Sequence, residues 1–468
     1  MVLWIEWFRC VWRLRASCSR QAAFVKMVLV LVGFTIRPDL LGVTSFIRAG
    51  FINPAQYRLF LHFFHSRAVN LTSLLQVWVT LAQRLFTPVM AEGYMVLVAD
   101  GIKAPKEGRR MPAVKSLHQE STNNSKPPYI MGHSFQAIAL LVEGLAGHWF
   151  AVPLLSRISE GVRFPAEVRR SLLDKLAAWF LEITDITKAP ALLVADAYYA
   201  SRKIIVPLLV RGHHLISRFK STSVAYLPPP EVLVKRKGRP PIYGKKVRLH
   251  NFFSSAEGFA SVHSPVYGEQ KGIIQYRSVN LLWRPIGRLV QFVLVMHPSR
   301  GNIVLLCTSV DLDPLTVIKL YGLRFKIEVS FKQAMHTLGT YLYHFWMKTM
   351  TPLHRGEGDQ DLSIRSEKYR RDVRRKIDAY HRYVLIGCIA QGLLQHLAIN
   401  YRETVWATFR SWLRTMRPDL VPSEFVAALA LRSSLPDFLL NADNDSILKK
   451  IIIDHADHDK IPGLRMAA

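Results

Sequence analysis

Tyr94-Met-Val-Leu-Val-Ala-Asp100 and Ala191-Leu-Leu-Val-Ala-Asp196 decide how this chain folds. Each is a short, unbroken apolar run ending in an acid, and both close on the same four residues, Leu-Val-Ala-Asp. Runs of this length without alternation read as strands buried on both faces, the pattern of neighbouring parallel strands. If the two lie side by side, Asp100 and Asp196 project together from one edge of a sheet. Two carboxylates that close raise each other's pKa unless a cation stands between them. The simpler role for either acid by itself is to cap the next helix or solvate a turn.

Outward from the first run, residues 101–128 read as a long, polar, basic loop. Residues 129–142 and 149–158 read as two buried strands joined by a turn containing Gly144 and Gly147. Helical periodicity over 166–186 precedes the second run, a helix to about 210 comes after it, and 214–219 reads as a strand. Strand, strand, strand, helix, strand, helix, strand, helix is the order of an RNase H-like α/β fold, a mixed sheet flanked by helices. In such a sheet the first and fourth strands are neighbours. Around it the chain divides into a helical N-terminal region (1–90), the first part of the core (91–220), a mostly β, basic insertion (221–304), the second part of the core (305–350), and a charged loop with C-terminal helices (351–468). Within that last region 351–378 reads as a mobile loop entering a helix.

A chain of 468 residues is too long for one core and implies two or three domains. Half of it is hydrophobic, which excludes wholesale disorder. Lys and Arg number 62 against 34 for Asp and Glu, a net charge of +28, and an excess of that size pairs with a polyanion, most often nucleic acid. A membrane-surface protein is the other class such charge allows. Cys10, Cys18, Cys307 and Cys388 form no Cys-x-x-Cys pair, so neither a zinc ribbon nor a disulfide framework is expected, and a reducing cytoplasm fits. The apolar run from Met27 to Ile36 comes after several arginines in the manner of a signal peptide, but it is too short to span a bilayer and Arg37-Pro38 ends it. It reads as a buried helix.

A third acid comes from a helix expected over 315–338, starting at Asp313-Pro314. Leu320, Leu323, Ile327, Phe331, Ala334 and Leu338 form an apolar stripe at spacings of three and four. Beside it Tyr321, Arg324, Glu328 and Lys332 share a face. A solvated face with an Arg324–Glu328 salt bridge explains that spacing equally well.

The segment Tyr321-Gly-Leu-Arg-Phe-Lys-Ile-Glu328 resembles the Tyr-x2-Arg-x3-Glu-x6-Lys signature of insertion-sequence-four family DDE transposases. Val98-Ala-Asp100-Gly-Ile-Lys103 and Val194-Ala-Asp196-Ala-Tyr-Tyr199 resemble the surroundings of that family's two catalytic Asp residues. The likeness covers roughly residues 90–345. The signature's Lys falls on Met335, and Lys332 lies one turn earlier. The resemblance implies a DNA transposase whose catalytic and metal-binding residues are Asp100, Asp196 and Glu328, holding two Mg2+ (or Mn2+) ions per active site. It implies that Arg324 and Tyr321 grip the phosphate beside the scissile bond. The partners it implies are double-stranded DNA (terminal inverted repeats and target) and a second copy of the chain in the DNA complex, with no membrane, in a bacterial, nucleoid-associated cytoplasm. Repeat recognition would fall to the N-terminal helices.

Residues 201–250 carry twelve Lys or Arg against one acid, Glu231. The cluster Lys235, Arg236, Lys237, Arg239 resembles a minor-groove hook, or is a solvated basic loop. Lys332 and Lys103 are further DNA-contact candidates, the latter in a loop with Lys106, Arg109, Arg110 and Lys115. Trp283 is a candidate wedge for a flipped base, and His118 and His133 read as structural. An RNase H-like nuclease or resolvase without strand transfer, and an inactive transposase-derived DNA-binding protein, remain alternatives.

Overall fold

The computed structural model describes residues 1–119, 127–165, 170–230, 241–255 and 257–460. The chain forms two compact units, Met1–Thr87 with Gly101–Arg169 and Ile327–Ala468, and Pro88–Asp100 with Arg170–Lys326.

The five strands that define the fold are β1 (Tyr94–Pro105), β2 (Tyr129–Glu143), β3 (Trp149–Ile158), β4 (Ala191–Ala195) and β5 (His214–Phe219). The insertion adds β6 (Ile273–Trp283), β7 (Arg288–His297) and β8 (Gly301–Cys307). In the second unit the N-terminal part of β1, β4 and β5 are parallel neighbours. Then β8, β7 and β6 continue as an antiparallel extension of β5. Met95–Ala99 and all of β4 are buried, because helices cover parallel strands on both faces and no residue can face water. Helices α6 (Leu172–Thr187) and α7 (Arg202–Val210) pack on each other, and α8 (Pro314–Leu323) docks on β4, β5, β7 and β8. Ser171 and Asp174 close a capping box on α6, and Asp313 caps α8 by accepting from Thr316 N at 2.8 Å.

In the first unit the end of β1 neighbours β2, which pairs antiparallel with β3. Its helices are α1 (Val2–Arg13), α2 (Gln21–Ile36), α3 (Gly42–Ala49), α4 (Tyr57–His65), α5 (Leu71–Leu85), α9 (Lys326–Gln333), α10 (Glu367–Asn400), α11 (Arg402–Thr408), α12 (Glu424–Asn441) and α13 (Ile447–Ile453). Helix α10 is the axis: β3 and helices α1, α2, α4, α5, α11 and α12 all lie against it. A Cβ on Gly392 would stand 2.4 Å from the Trp78 ring, so only glycine lets α10 approach there. Trp78 in turn donates to Pro153 O at 3.0 Å, tying α5 to β3. Among the described residues α10 is the helix long and apolar enough to cross a membrane by composition, and its apolar half is buried inside the protein. The Met27–Ile36 run is likewise a buried helix.

The mixed α/β sheet flanked by helices is the RNase H-like class read from the sequence. Two local expectations are corrected. In place of the expected loop, β1 runs on to Pro105 and a further strand, Lys115–His118, pairs with β2. Lys106 N–H donates to Met131 O at 2.9 Å, so the polar residues track the edge of β2. The 315–338 helix is broken: α8 ends at Leu323, α9 starts at Lys326, and 334–338 relaxes to a π turn ending at Gly339, whose φ is +63°. The stretch 351–378 does enter a helix as expected: α10 begins at Glu367, capped by Ser366.

Candidate active site

Ala99 pairs with Ala195 in the parallel register of β1 and β4. Asp100 and Asp196 therefore leave adjoining strands, about 4.8 Å apart, at the same level. Both are half-buried. Asp196 turns the chain: its Oδ1 accepts from Tyr198 N–H at 3.0 Å, capping the 3-10 turn Ala197–Tyr199. Its carbonyl accepts the Ser217 hydroxyl of β5 at 2.6 Å. Asp100, in contrast, sits mid-strand, and its Oδ2 accepts from Arg324 Nη1 at 2.8 Å. The two side chains of that ion pair are only 17% and 19% exposed, so water screens it poorly. Arg324 thus binds a partner 224 residues away in the chain, rather than serving only the local helix pairing that its spacing also allowed.

Two tyrosines complete the setting. Tyr199 is buried, and burial raises its phenol above the usual value, with the charges of Asp100 and Asp196 acting in the same direction. Tyr321 is raised by burial as well, opposed by Arg324 and Arg218 and reinforced by Asp196. Both phenols remain protonated donors beside the carboxylates. Next to the Asp196 turn, a cavity of about 320 Å3 is lined by Ala197, Arg218, Lys220, Ser221, Thr222 and Asn302. A second, of about 310 Å3, is lined by Tyr321, Arg324, Phe325, Val266, Tyr267 and Arg300. Carboxylates, phenols and guanidinium groups together can hold a hard cation and the phosphate it neutralises.

The oxygen-only pair fits Mg2+ or Mn2+, since Mg2+ is commonly held by one or two carboxylates together with substrate phosphates. Arg324 already supplies a positive charge at Asp100, evidence that the position calls for one. Among the described residues no group of three or more His, Cys, Asp and Glu side chains is gathered that could hold a metal ion. Glu328 is exposed on α9, which belongs mainly to the first unit, as is Lys332 on the same helix. Gln391 of α10 anchors α9 by donating to Ser330 O at 3.0 Å. Met335 lies in the π turn.

The other sequence candidates divide. Lys103 is exposed, and its Nζ donates to His118 O at 2.6 Å. The remaining cations of the expected basic loop serve the fold. Lys106 is buried, donating to Tyr341 O and Tyr343 O, and Lys115 pairs with Glu160 and Asp359. Arg109 and Arg110 donate to the carbonyls of Leu353 and Lys348. Trp283 is 7% exposed, edge-on against Phe219 at 5.3 Å, so its ring is committed to the core rather than free as a wedge. His133 is fully buried and satisfied by the Tyr343 hydroxyl and Pro112 O, and burial pushes its pKa down to about 3. Lys235, Arg236, Lys237 and Arg239 lie outside the described residues. Sequence reasoning missed Arg218 and the separate position of Tyr199. The first was signalled only as a lone cation at the end of a strand, the second as one of two adjacent tyrosines.

A sequence profile described as DDE superfamily endonuclease matches residues 17–264, more than half of the chain. The match includes Asp100 and Asp196 and ends before Tyr321, Arg324 and Glu328. No curated protein matches the sequence.

Proposed function

Since the chain belongs to the DDE superfamily endonucleases, enzymes that act on DNA, we propose that it is a DNA transposase of the insertion-sequence-four type, cutting phosphodiesters at element ends and joining them to target DNA. The observation that carries this reading is the side-by-side exit of Asp100 and Asp196 from adjoining parallel strands, with Arg324 on Asp100. Asp100, Asp196 and Glu328 would hold two divalent ions, Mg2+ or Mn2+, which when bound make water or a 3′-hydroxyl nucleophilic at neutral pH and stabilise the leaving oxygen.

The chain's own groups do the rest. Arg324 passes from Asp100 to the phosphate beside the scissile bond, and the Tyr321 hydroxyl donates to the same phosphate. Arg218 and Lys220 draw the strand past the Asp196 turn. Lys103, Lys332 and the Lys235, Arg236, Lys237, Arg239 cluster neutralise duplex phosphates, so affinity falls steeply with salt. The N-terminal helices read the terminal inverted repeats, two copies pair the ends, and the setting is the nucleoid-associated cytoplasm of a bacterium.

The test is a plasmid in which the gene's flanking inverted repeats bracket a marker. Release of the marker and its joining to a second plasmid supports the proposal. Nicking without joining replaces it with a nuclease lacking strand transfer. The Arg324–Asp100 pair favours one second reading, a transposase-derived DNA-binding protein in which the guanidinium has permanently taken the cation's place. Mg2+-dependent nicking by the wild-type chain excludes that.

A further inference from the structure

In the first unit, on residues that the candidate active site does not use, a cavity of about 440 Å3 is lined by Leu61, His62 and His65 of α4, the segment 346–349, and Asp372, Arg375 and Lys376 of α10. Trp346 is 59% exposed, which is unusual for the side chain with most to gain from burial. It is nonetheless held. A Cβ on Gly108 would lie 2.6 Å from the indole nitrogen, so glycine makes room for the ring edge. Arg110 grips the same segment twice: its carbonyl accepts from Met347 N at 2.9 Å, and its Nη1 donates to Lys348 O at 3.2 Å.

We propose that this cavity binds an unpaired nucleotide of DNA, with the base stacked on Trp346 and the phosphate held by Lys348 and Arg375. This rests on the reading of the chain as a DNA-processing enzyme. Leu61 and Met347 give the base an apolar floor, the usual lining of a small-ligand site with a few fixed polar groups. His65 donates from Nδ1 to Leu61 O and accepts the Lys376 ammonium at Nε2, 2.8 Å away. That fixes Lys376 at the wall. Burial pushes His65 down to about 4, so the imidazole is neutral and free to accept.

An acidic peptide would also find cations here, but the layout of charge favours a nucleic acid strand. Lys368, Arg371 and Arg375 are all exposed at spacings of three and four on α10, and the row ends at Arg375 in the cavity wall, where Arg375 and Lys376 outnumber the one acid, Asp372. A basic track ending on an aromatic platform is how single strands are held without sequence preference.

Full-length protein is titrated in EDTA with fluorescein-labelled oligothymidine and with a blunt duplex, monitored by anisotropy. Chelation removes metal-dependent cleavage from the readout, so failure here and failure of the transposase reading are separable. Trp346→Ala weakens oligothymidine binding about tenfold and leaves the duplex unchanged, while Trp346→Phe restores most of the loss. Arg375→Ala weakens oligothymidine and lowers the salt slope by about 0.7. Unchanged oligothymidine binding by Trp346→Ala, or equal loss on both probes, overturns the proposal. So does displacement of oligothymidine by poly-glutamate that itself binds through Trp346, which makes the cavity a peptide site. Trp346-dependent binding in a chain that never cleaves DNA leaves it standing and sinks the transposase reading.

Discussion

The ends of β1 and β4 carry the same tetrapeptide, Leu-Val-Ala-Asp, and give its acid two different tasks. After Asp196 the chain turns, and the carboxylate caps that turn. After Asp100 it continues as strand to Pro105, so the carboxylate has no turn to cap and is held by Arg324 from α8's end. Identical local sequence fixes the strand and the burial of its apolar part. The residues after the acid, and the groups that reach it from hundreds of residues away, fix its chemistry. One carboxylate is oriented by backbone and the other by a cation.

The comparison breaks most visibly in catalysis. Asp100→Asn and Asp196→Asn should each lower Mg2+-dependent nicking by at least about a thousandfold, the scale of several kcal/mol of metal-derived stabilisation. Because Asn caps as well as Asp does, the second variant should bind DNA as the wild type does. Near-normal nicking by only one of the two would mean that the acids do not act as a pair.

Acid sets the range in which the comparison can be read. Burial pushes His133 and His381 down to about 3, from 6.5. In the unfolded chain these groups take up protons below 6.5 while the folded ones stay neutral. Stability is thus full above that pH and falls as pH drops toward 3, by about 1.4 kcal/mol per unit per histidine. Thermal melts between pH 7 and about 4 should show Tm falling steadily. A flat profile would mean that these imidazoles are solvated.

Smaller effects separate the two tasks. Asp100→Ala strands the half-buried Arg324 and should lower stability by about 2–3 kcal/mol in urea unfolding. Asp196→Ala loses a cap on one short turn, about 1 kcal/mol. Equal losses would show that the ion pair contributes no more than the cap.

Much of the frame was legible because it derives from local pattern. Continuous apolar runs named β1 and β4, the paired glycines named the β2–β3 turn, and Asp313-Pro314 named the start of α8. The illegible parts depend on distant partners. The basic loop looked like a DNA surface because nothing in its sequence says that Lys106 is buried under Tyr343 or that Lys115 meets Asp359. The break at Arg324–Phe325 was hidden because the apolar stripe runs through it without interruption. The aromatic ring of Trp283 carried no mark of its commitment to Phe219. Nothing in the sequence marks Trp346 either, and its exposure beside a cavity singles it out.

A divalent-cation site at Asp100 and Asp196, with Glu328 as its third member, is the premise of the proposed chemistry. Fe2+ with ascorbate and peroxide cuts a polypeptide backbone beside the place where the ion sits, and the fragments can be sized. Cuts near residues 100, 196 and 328, suppressed by excess Mg2+ and absent from Asp196→Asn, are the predicted result. Cuts elsewhere, or none near the two aspartates, would contradict it.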